Sequence, residues 1–352
     1  MRVSAEHLKT VIVAFLMSFG AQEVEAKLVA DNLVAAELRG ISTHGINFIP
    51  MIAERIDHGL LKVPTRIEVI SDDEAVTHID GGNGLGQVAA TEATRKAIEK
   101  ARKFGVGISL VRNTNHVGLL AFYTKMAASQ GMIGICMCNS AAAMAPWGGA
   151  EPFFGTNPLS IAAPSGTGSP IILDMSTSIV ARGKIRKAVK TKQSIPMGWA
   201  LDAAGAPTDD PVAAMEGTLL PIGGPKGYGL AFFVDLISGL LSGSKYSREV
   251  STFHQPLSPT GVGVMTMAID TARFMPRPIF DALVSEHVRA IQESPKARNC
   301  SRIYLPGEIE AEREKLGLQQ GIQIDENVLE SVDRLLSVRG VDLRLSDLAV
   351  AE

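Results

Sequence analysis

After Asn139 the chain changes character. Pro146, Trp147, Gly148, Gly149, Gly155 and Pro158 stand among short apolar runs, PLSIAAP and PIILDMS. Runs this short, bounded by Gly and Pro, read as buried strands joined by glycine-rich loops. The flanks differ. The chain up to Gly40 carries two helical patterns, broken at Gly20 and again at Gly40, and most of the sequence beyond the strand-like VGVMTMAID is helical. Helices at both ends around a β-rich middle restrict the fold to α/β or α+β.

Further elements follow from the same periodicities. MIGICMCN and VGISLVRNTNH read as strands, and ATEATRKAIEKARKFG as a helix ending at Gly105. RIEVISDDEAVTHIDG reads as two strands around a turn at Asp72 and Asp73. GYGLAFFVDLISGLLSG reads as one long apolar helix, and MGWALDAAGAPTDDP as weakly structured. With 352 residues the chain is long enough for two domains. A net charge of −3, with Lys and Arg scattered, gives no nucleic-acid surface. VIVAFLM imitates a signal-peptide core, but Glu6, His7 and Lys9 precede it, so Ser4 to Phe19 reads as a helix capped by Ser4. No apolar run approaches the ~20 residues of a membrane span. The odd set Cys136, Cys138 and Cys300 suits a reducing compartment, so a cytoplasmic protein is expected. Cys136 and Cys138 fall on one strand face and read as buried thiols.

Most chemical motifs fail. GGNGLGQ, Gly81 to Gln87, has Gln where the dinucleotide fingerprint needs its last glycine, and no acidic residue follows at the right distance. It reads as a loop between a strand and a helix. GGPKGYG lacks the hydroxyl that a phosphate loop needs after its lysine. The seven histidines show no metal-ligand spacing, and no nucleophile elbow exists, so no metal is expected. Three residues keep chemical interest. His44, in STHGINF, and His116, in RNTNHVG, are loop histidines beside glycine: either acid/base groups or ordinary surface residues. Asp174 ends the apolar IILDMSTS, where it either pairs with a histidine or caps a helix.

Taken together, the segments resemble one family closely. RGISTHG resembles RG-x-x-SHG, NTNHVG resembles N-x-NH-x-G, and APWGG, FGTNPLSIAAP, ILDMSTS with ARGKI, PMGWALD, LLPIGGPKGYGLA and LPGE follow in order. The resemblance spans nearly the whole chain. It is to the malate/L-lactate dehydrogenase family of NAD(P)-dependent oxidoreductases, distinct from the Rossmann lactate and malate dehydrogenases. That family includes ureidoglycolate, sulfolactate and diketogulonate oxidoreductases and piperideine-carboxylate reductases. The resemblance implies a non-Rossmann α/β fold: a mixed, largely antiparallel sheet binding the cofactor, plus a helical domain formed from both chain ends. Residues 1–120 with 270–352 are expected on the helical, substrate side, and 121–269 in the sheet-rich, cofactor-binding part. A homodimer is implied, with NAD as cofactor and NADP possible.

By the same resemblance His44 is the general acid/base, His116 the competing one, and Asp174 a cofactor contact that could pair with His44. Leu120, Met175, Ser176, Gly224, Pro225, Pro306, Gly307 and Glu308 would line the cofactor. Thr43, Phe48 and Ser140 fall on the substrate side. Phe48 departs from the family, which usually has arginine there to grip a carboxylate; either Arg55 or Ser140 holds the carboxylate instead, or the substrate presents a less charged, more apolar group. Val264, after Gly263, likewise stands where the family often has His. The implied activity is hydride transfer between nicotinamide and C2 of a 2-hydroxy or 2-oxo acid. Reduction of cyclic or N-alkyl imino acids, or dinucleotide binding with lost or altered catalysis, are the alternatives.

Overall fold

The structure is a computed structural model and describes residues 1–348 except 167 and 256. A short β1 (Arg2–Val3) leads into α1 (Ala5–Ser18), α2 (Glu23–Leu38) and α3 (Ile49–Asp57). Next come β2 (Glu68–Asp73), β3 (Val76–Asp80), α4 (Gly86–Phe104), β4 (Val106–Thr114), α5 (Leu120–Ala128) and β5 (Met132–Cys138). The middle supplies β6 (Leu159–Ala163), β7 (Ile171–Met175) and α6 (Arg182–Thr191). The short elements β8 (Ala200–Leu201), β9 (Pro207–Thr208), α7 (Pro211–Glu216) and β10 (Thr218–Leu219) precede α8 (Pro225–Val234). The chain ends with β11 (Val262–Asp270), α9 (Arg277–Glu293), α10 (Glu308–Gln320), β12 (Ile322–Gln323) and α11 (Glu326–Val338).

Seven strands form the central sheet in the order β2-β3-β4-β11-β5-β6-β7. β3 and β4 run parallel, joined by α4 as the crossover that parallel pairing needs, and the other pairs are antiparallel. Ala89, Ala93, Ala97 and Ala101 recur every fourth residue along α4 and are fully buried or nearly so. That small-residue stripe lets the helix lie close on the sheet. Cys136 and Cys138 share the buried face of β5, as the alternation required.

The helical part does come from both chain ends. Leu8, Ile12 and Phe15 of α1, Val29 and Leu33 of α2, and Val332 and Leu336 of α11 share one core. The Ser4 hydroxyl accepts from the His7 amide, capping α1. The sheet is less confined than the expected division at residue 120 implied. β2, β3 and β4 lie before it, and β4 pairs with the central strand β11 through seven register positions, so that line cuts through the sheet. Residues 349–352, assigned to the helical part, lie outside the described residues.

Three further expectations shift. The turn between β2 and β3 sits at Glu74 and Ala75, Glu74 taking a left-handed φ of 29°. The stretch expected to be weakly structured builds a three-stranded sheet, β10-β8-β9. The long apolar helix is α8 followed by a π-helical stretch, Asp235–Leu240. Asp235 is buried there, where its carboxylate accepts from the Ser247 amide and hydroxyl and from Asn139.

Candidate active site

Arg39 and Gly40 end α2, and STHGINF then turns the chain through two 3-10 turns, Ser42–His44 and Ile46–Phe48. A buried carboxylate braces the corner: Glu37 Oε1 accepts from the Ile46 amide at 2.8 Å. Burial raises the Glu37 pKa, and the Ile46 and Ser42 hydrogen bonds oppose that rise. Gly45 packs so tightly here that a Cβ on it would lie 2.1 Å from Glu37 Oε1. Asn47 closes the turn by donating to the Ser42 carbonyl at 2.9 Å. The corner is therefore rigid, and it fixes where His44 points.

His116 follows β4. The buried Asn115 before it donates to the carbonyls of Asn83 and Gly84 and accepts from the Thr260 hydroxyl. The GGNGLGQ glycines thus form the strand-to-helix loop that was expected, and that loop supports the His116 segment.

Four rings meet between the two loops. The His44 and His116 centroids are 5.4 Å apart. Phe48 stacks on His116 at 3.8 Å with a 16° tilt, and Phe253 stands 5.5 Å from Phe48. Phe48 is only 6% exposed, so it is a packing wall rather than an open pocket residue. Water removal by these rings disfavours imidazolium. It lowers the His44 pKa to about 4. His116 is also pushed well below its usual value, first by burial and then by the neighbouring His44 and His254 charges.

Hydrogen bonds orient both rings and fix the tautomer of His116. The Gly118 amide donates to His116 Nδ1 at 3.1 Å, so neutral His116 carries its proton on Nε2. Thr43 Oγ1 lies 3.0 Å from His44 Nδ1, which orients that ring. Neither Nε2 has a hydrogen-bond partner among the described residues.

Other expected contacts fall elsewhere. Asp174 does not pair with His44: its Oδ2 accepts from the Ala121 amide at 2.8 Å, in the first turn of α5. That is the capping alternative. Burial raises the Asp174 pKa to about 6 against this hydrogen bond and the Arg39 charge. Arg55 is no carboxylate grip either. It is fully buried, donates to the carbonyls of Thr252, Gln255 and Ser258, and lies over the Phe253 ring at 4.9 Å. It staples that loop, and burial lowers its pKa. Ser140 donates its amide to Asn157 and keeps its hydroxyl near Thr156, with no contact to either histidine among the described residues.

The residues expected at the cofactor gather along the edge strand β7. Ile172 donates to the Pro306 carbonyl at 3.1 Å, which lays the LPGE segment against the strand. A Cβ on Gly307 would lie 2.6 Å from the Ile172 carbonyl oxygen, so only glycine permits that approach. Beyond Met175 and Ser176, Ile222 donates to the Thr177 carbonyl, bringing in Gly224 and Pro225 at the start of α8. The N-termini of α5, α8 and α10 thus bound one strip. Free amides at helix starts suit phosphates, and the second Asp174 oxygen suits a ribose hydroxyl, so these residues fit a dinucleotide. Two side chains are unavailable. Leu120 is buried in the core, leaving only its backbone at the helix start, and Glu308 is engaged by Arg302 and the Leu305 amide.

The cations near the histidines were missed in the sequence. RGKIRKAVKTK holds Arg182, Lys184, Arg186, Lys187, Lys190 and Lys192 with no acid, a basic run overlooked as scattered charge. It folds as α6, whose Gly183 faces the corner: a Cβ there would lie 3.2 Å from Thr43 Cγ2. Arg186 Nη1 donates to His254 Nε2 at 2.9 Å, and His254 is 6.5 Å from Phe48 by ring centroids.

Two imidazoles whose Nε2 atoms have no partner among the described residues suit proton transfer, and the strip of helix N-termini suits a phosphate-bearing ligand. The chain belongs to the malate/L-lactate dehydrogenase family, whose sequence pattern matches residues 3–333. It is 38% identical to the malate dehydrogenase of Pyrococcus abyssi, with 97% of each chain covered. It is 35% identical to the ureidoglycolate dehydrogenase (NAD(+)) of Escherichia coli strain K12, over 93% of this chain and 94% of that one. The structure of sulfolactate dehydrogenase from Methanocaldococcus jannaschii aligns with a TM-score of 0.93 and 37% identity, covering 99% of both chains.

Proposed function

We propose that the protein is an NAD(P)-dependent oxidoreductase that moves a hydride between nicotinamide and C2 of a 2-hydroxy or 2-oxo acid. His44 exchanges the proton in this reading. The observation that carries it is the pair of imidazoles 5.4 Å apart, each with an Nε2 that has no partner among the described residues. Family membership supports the reaction class, and the NAD(+) named for the ureidoglycolate relative supports the cofactor.

The two histidines then divide the work. His116, with its Nδ1 held by the Gly118 amide, keeps a proton on Nε2 and donates a hydrogen bond to the substrate oxygen. His44 is neutral at physiological pH and takes the hydroxyl proton during oxidation. In reduction, the negative charge of a bound acid raises the His44 pKa, so it can carry the proton it delivers. When bound, the nicotinamide supplies or accepts the hydride. The backbone of Met175 and Ser176, the α8 start at Gly224 and Pro225, and the α10 start at Gly307 hold the dinucleotide, with Asp174 for a ribose hydroxyl. Phe48, Phe253 and the Arg55-stapled loop exclude water from the imidazoles, and Thr43 orients the His44 ring at Nδ1.

Two features extend the reading. Leu230, Phe233, Leu240 and Leu241 on α8 and the stretch after it are 44–63% exposed, an apolar face that supports a homodimer. Three free thiols support a reducing, cytoplasmic setting.

The test is loss of nicotinamide absorbance from NADH or NADPH with a panel of 2-oxo acids and cyclic imines. Turnover of a 2-oxo acid is expected. Turnover of the imines alone transfers the protein to imine reduction, and no turnover despite cofactor binding contradicts the reading.

A further inference from the structure

The wall around the histidines holds positive charge without counter-ions. Arg182 donates to the Met215 carbonyl at 2.7 Å, and Arg186 donates to His254. Neither guanidinium has a carboxylate within salt-bridge distance among the described residues. His254 is fixed as a neutral acceptor toward Arg186, because its Nε2 takes the Arg186 proton while its Nδ1 faces Met51 Sδ at 3.0 Å. Burial, and then the Arg186 and Arg182 charges, push the His254 pKa down, which keeps it neutral. His254 in turn lies 6.5 Å by ring centroids from Phe48, which stacks on His116, so Arg186 stands beside the ring cluster. Unpaired, partly desolvated guanidiniums are costly unless an anion meets them.

Position 48 sharpens this. Phe48 stacks on His116 and offers no donor to an anion. Arg55 is committed to three carbonyls. Arg186 is half-buried, one turn beyond Arg182 on the helix that faces Thr43, and its single hydrogen bond leaves guanidinium donors free.

We propose that Arg186, supported by Arg182 and His254, binds the acidic group of the substrate that lies away from the reacting carbon, so that the site selects substrates with two acidic groups. This rests on the oxidoreductase reading above. A charge-assisted guanidinium–carboxylate contact is geometrically specific, so one residue can discriminate between a diacid and a monoacid.

The experiment compares oxaloacetate with pyruvate, which lacks the second carboxylate, as substrates of the full chain with NADH. Arg186→Gln is expected to raise KM for oxaloacetate about 10- to 100-fold, from the strength of a hydrogen bond between charged groups, with kcat and the pyruvate KM little changed. Arg186→Lys should restore part of the loss. Lys187→Gln removes the same charge from an exposed neighbouring position and should change neither KM. Equal losses with both substrates would overturn the proposal, since Arg186 would then grip the group they share. An unchanged oxaloacetate KM, or the same effect from Lys187→Gln, would overturn it too. Calorimetric binding of malate and lactate to wild type and Arg186→Gln separates the two readings. If the protein binds malate through Arg186 but turns over neither oxo acid, the grip stands and the redox reading falls. If Arg186→Gln binds malate as wild type does, the grip falls whatever the turnover.

Discussion

The corner at His44 and the strip along β7 are built on opposite electrostatic plans. At the corner, rings surround two imidazoles, and the nearby guanidiniums of Arg182 and Arg186 have no acidic partner among the described residues. Along the strip, charges are compensated within the protein: Asp174 by the start of α5, Glu308 by Arg302, and Glu314 by Arg39 and Lys125. An uncompensated region is completed by what binds there, whereas a compensated one presents mainly its backbone. The corner is thereby suited to choosing and reacting with an anion. The strip is suited to holding a constant cofactor through amides.

Substitutions can break this contrast. The largest effect belongs to His44→Gln, which should lower kcat by about 10²–10⁴-fold with cofactor affinity retained, measured by steady-state kinetics and cofactor fluorescence titration. Loss of cofactor binding instead would place His44 in the strip. Gly45→Ala forces a Cβ onto Glu37 and should cost about 1–3 kcal/mol in urea unfolding, together with activity. Wild-type stability in that variant would show that the corner yields. Asp174→Ala removes the carboxylate at the start of α5 and should cost about 1 kcal/mol while raising the cofactor Kd. A change in kcat at saturating cofactor would move Asp174 into the reaction itself. Arg302→Ala, at a solvent-exposed ion pair, should leave the unfolding midpoint unchanged. A clear shift would mean that the Glu308 pair holds the LPGE segment in place.

The fold was legible where periodicity is strong. The alternation in MIGICMCN and the helical pattern after Ser4 specified buried faces that need no distant information. β8 to β10 were missed because two-residue strands carry no period, and their pairing depends on partners as distant as Leu219 and Ala200. Within the site, His44 and His116 stood out by motif order, but their meeting is a long-range fact. Asp174 was drawn toward His44 by chemistry, yet the nearer helix start takes its oxygen. Arg55 looked available because nothing in the sequence reveals the three carbonyls of the 252–258 loop. Arg186 could have been found, since six cations without an acid in RGKIRKAVKTK are a visible signal.

In the proposed reaction His44, held neutral by its surroundings, exchanges the proton while His116 only donates a hydrogen bond. The pH dependence of kcat/KM for oxidation of a 2-hydroxy acid reports the free-enzyme base directly. A base must be unprotonated, so activity is lost as pH falls through its pKa. The account predicts a falling limb near pH 4 that persists in His116→Gln. A limb at the ordinary histidine value, or one that disappears in His116→Gln, would contradict it.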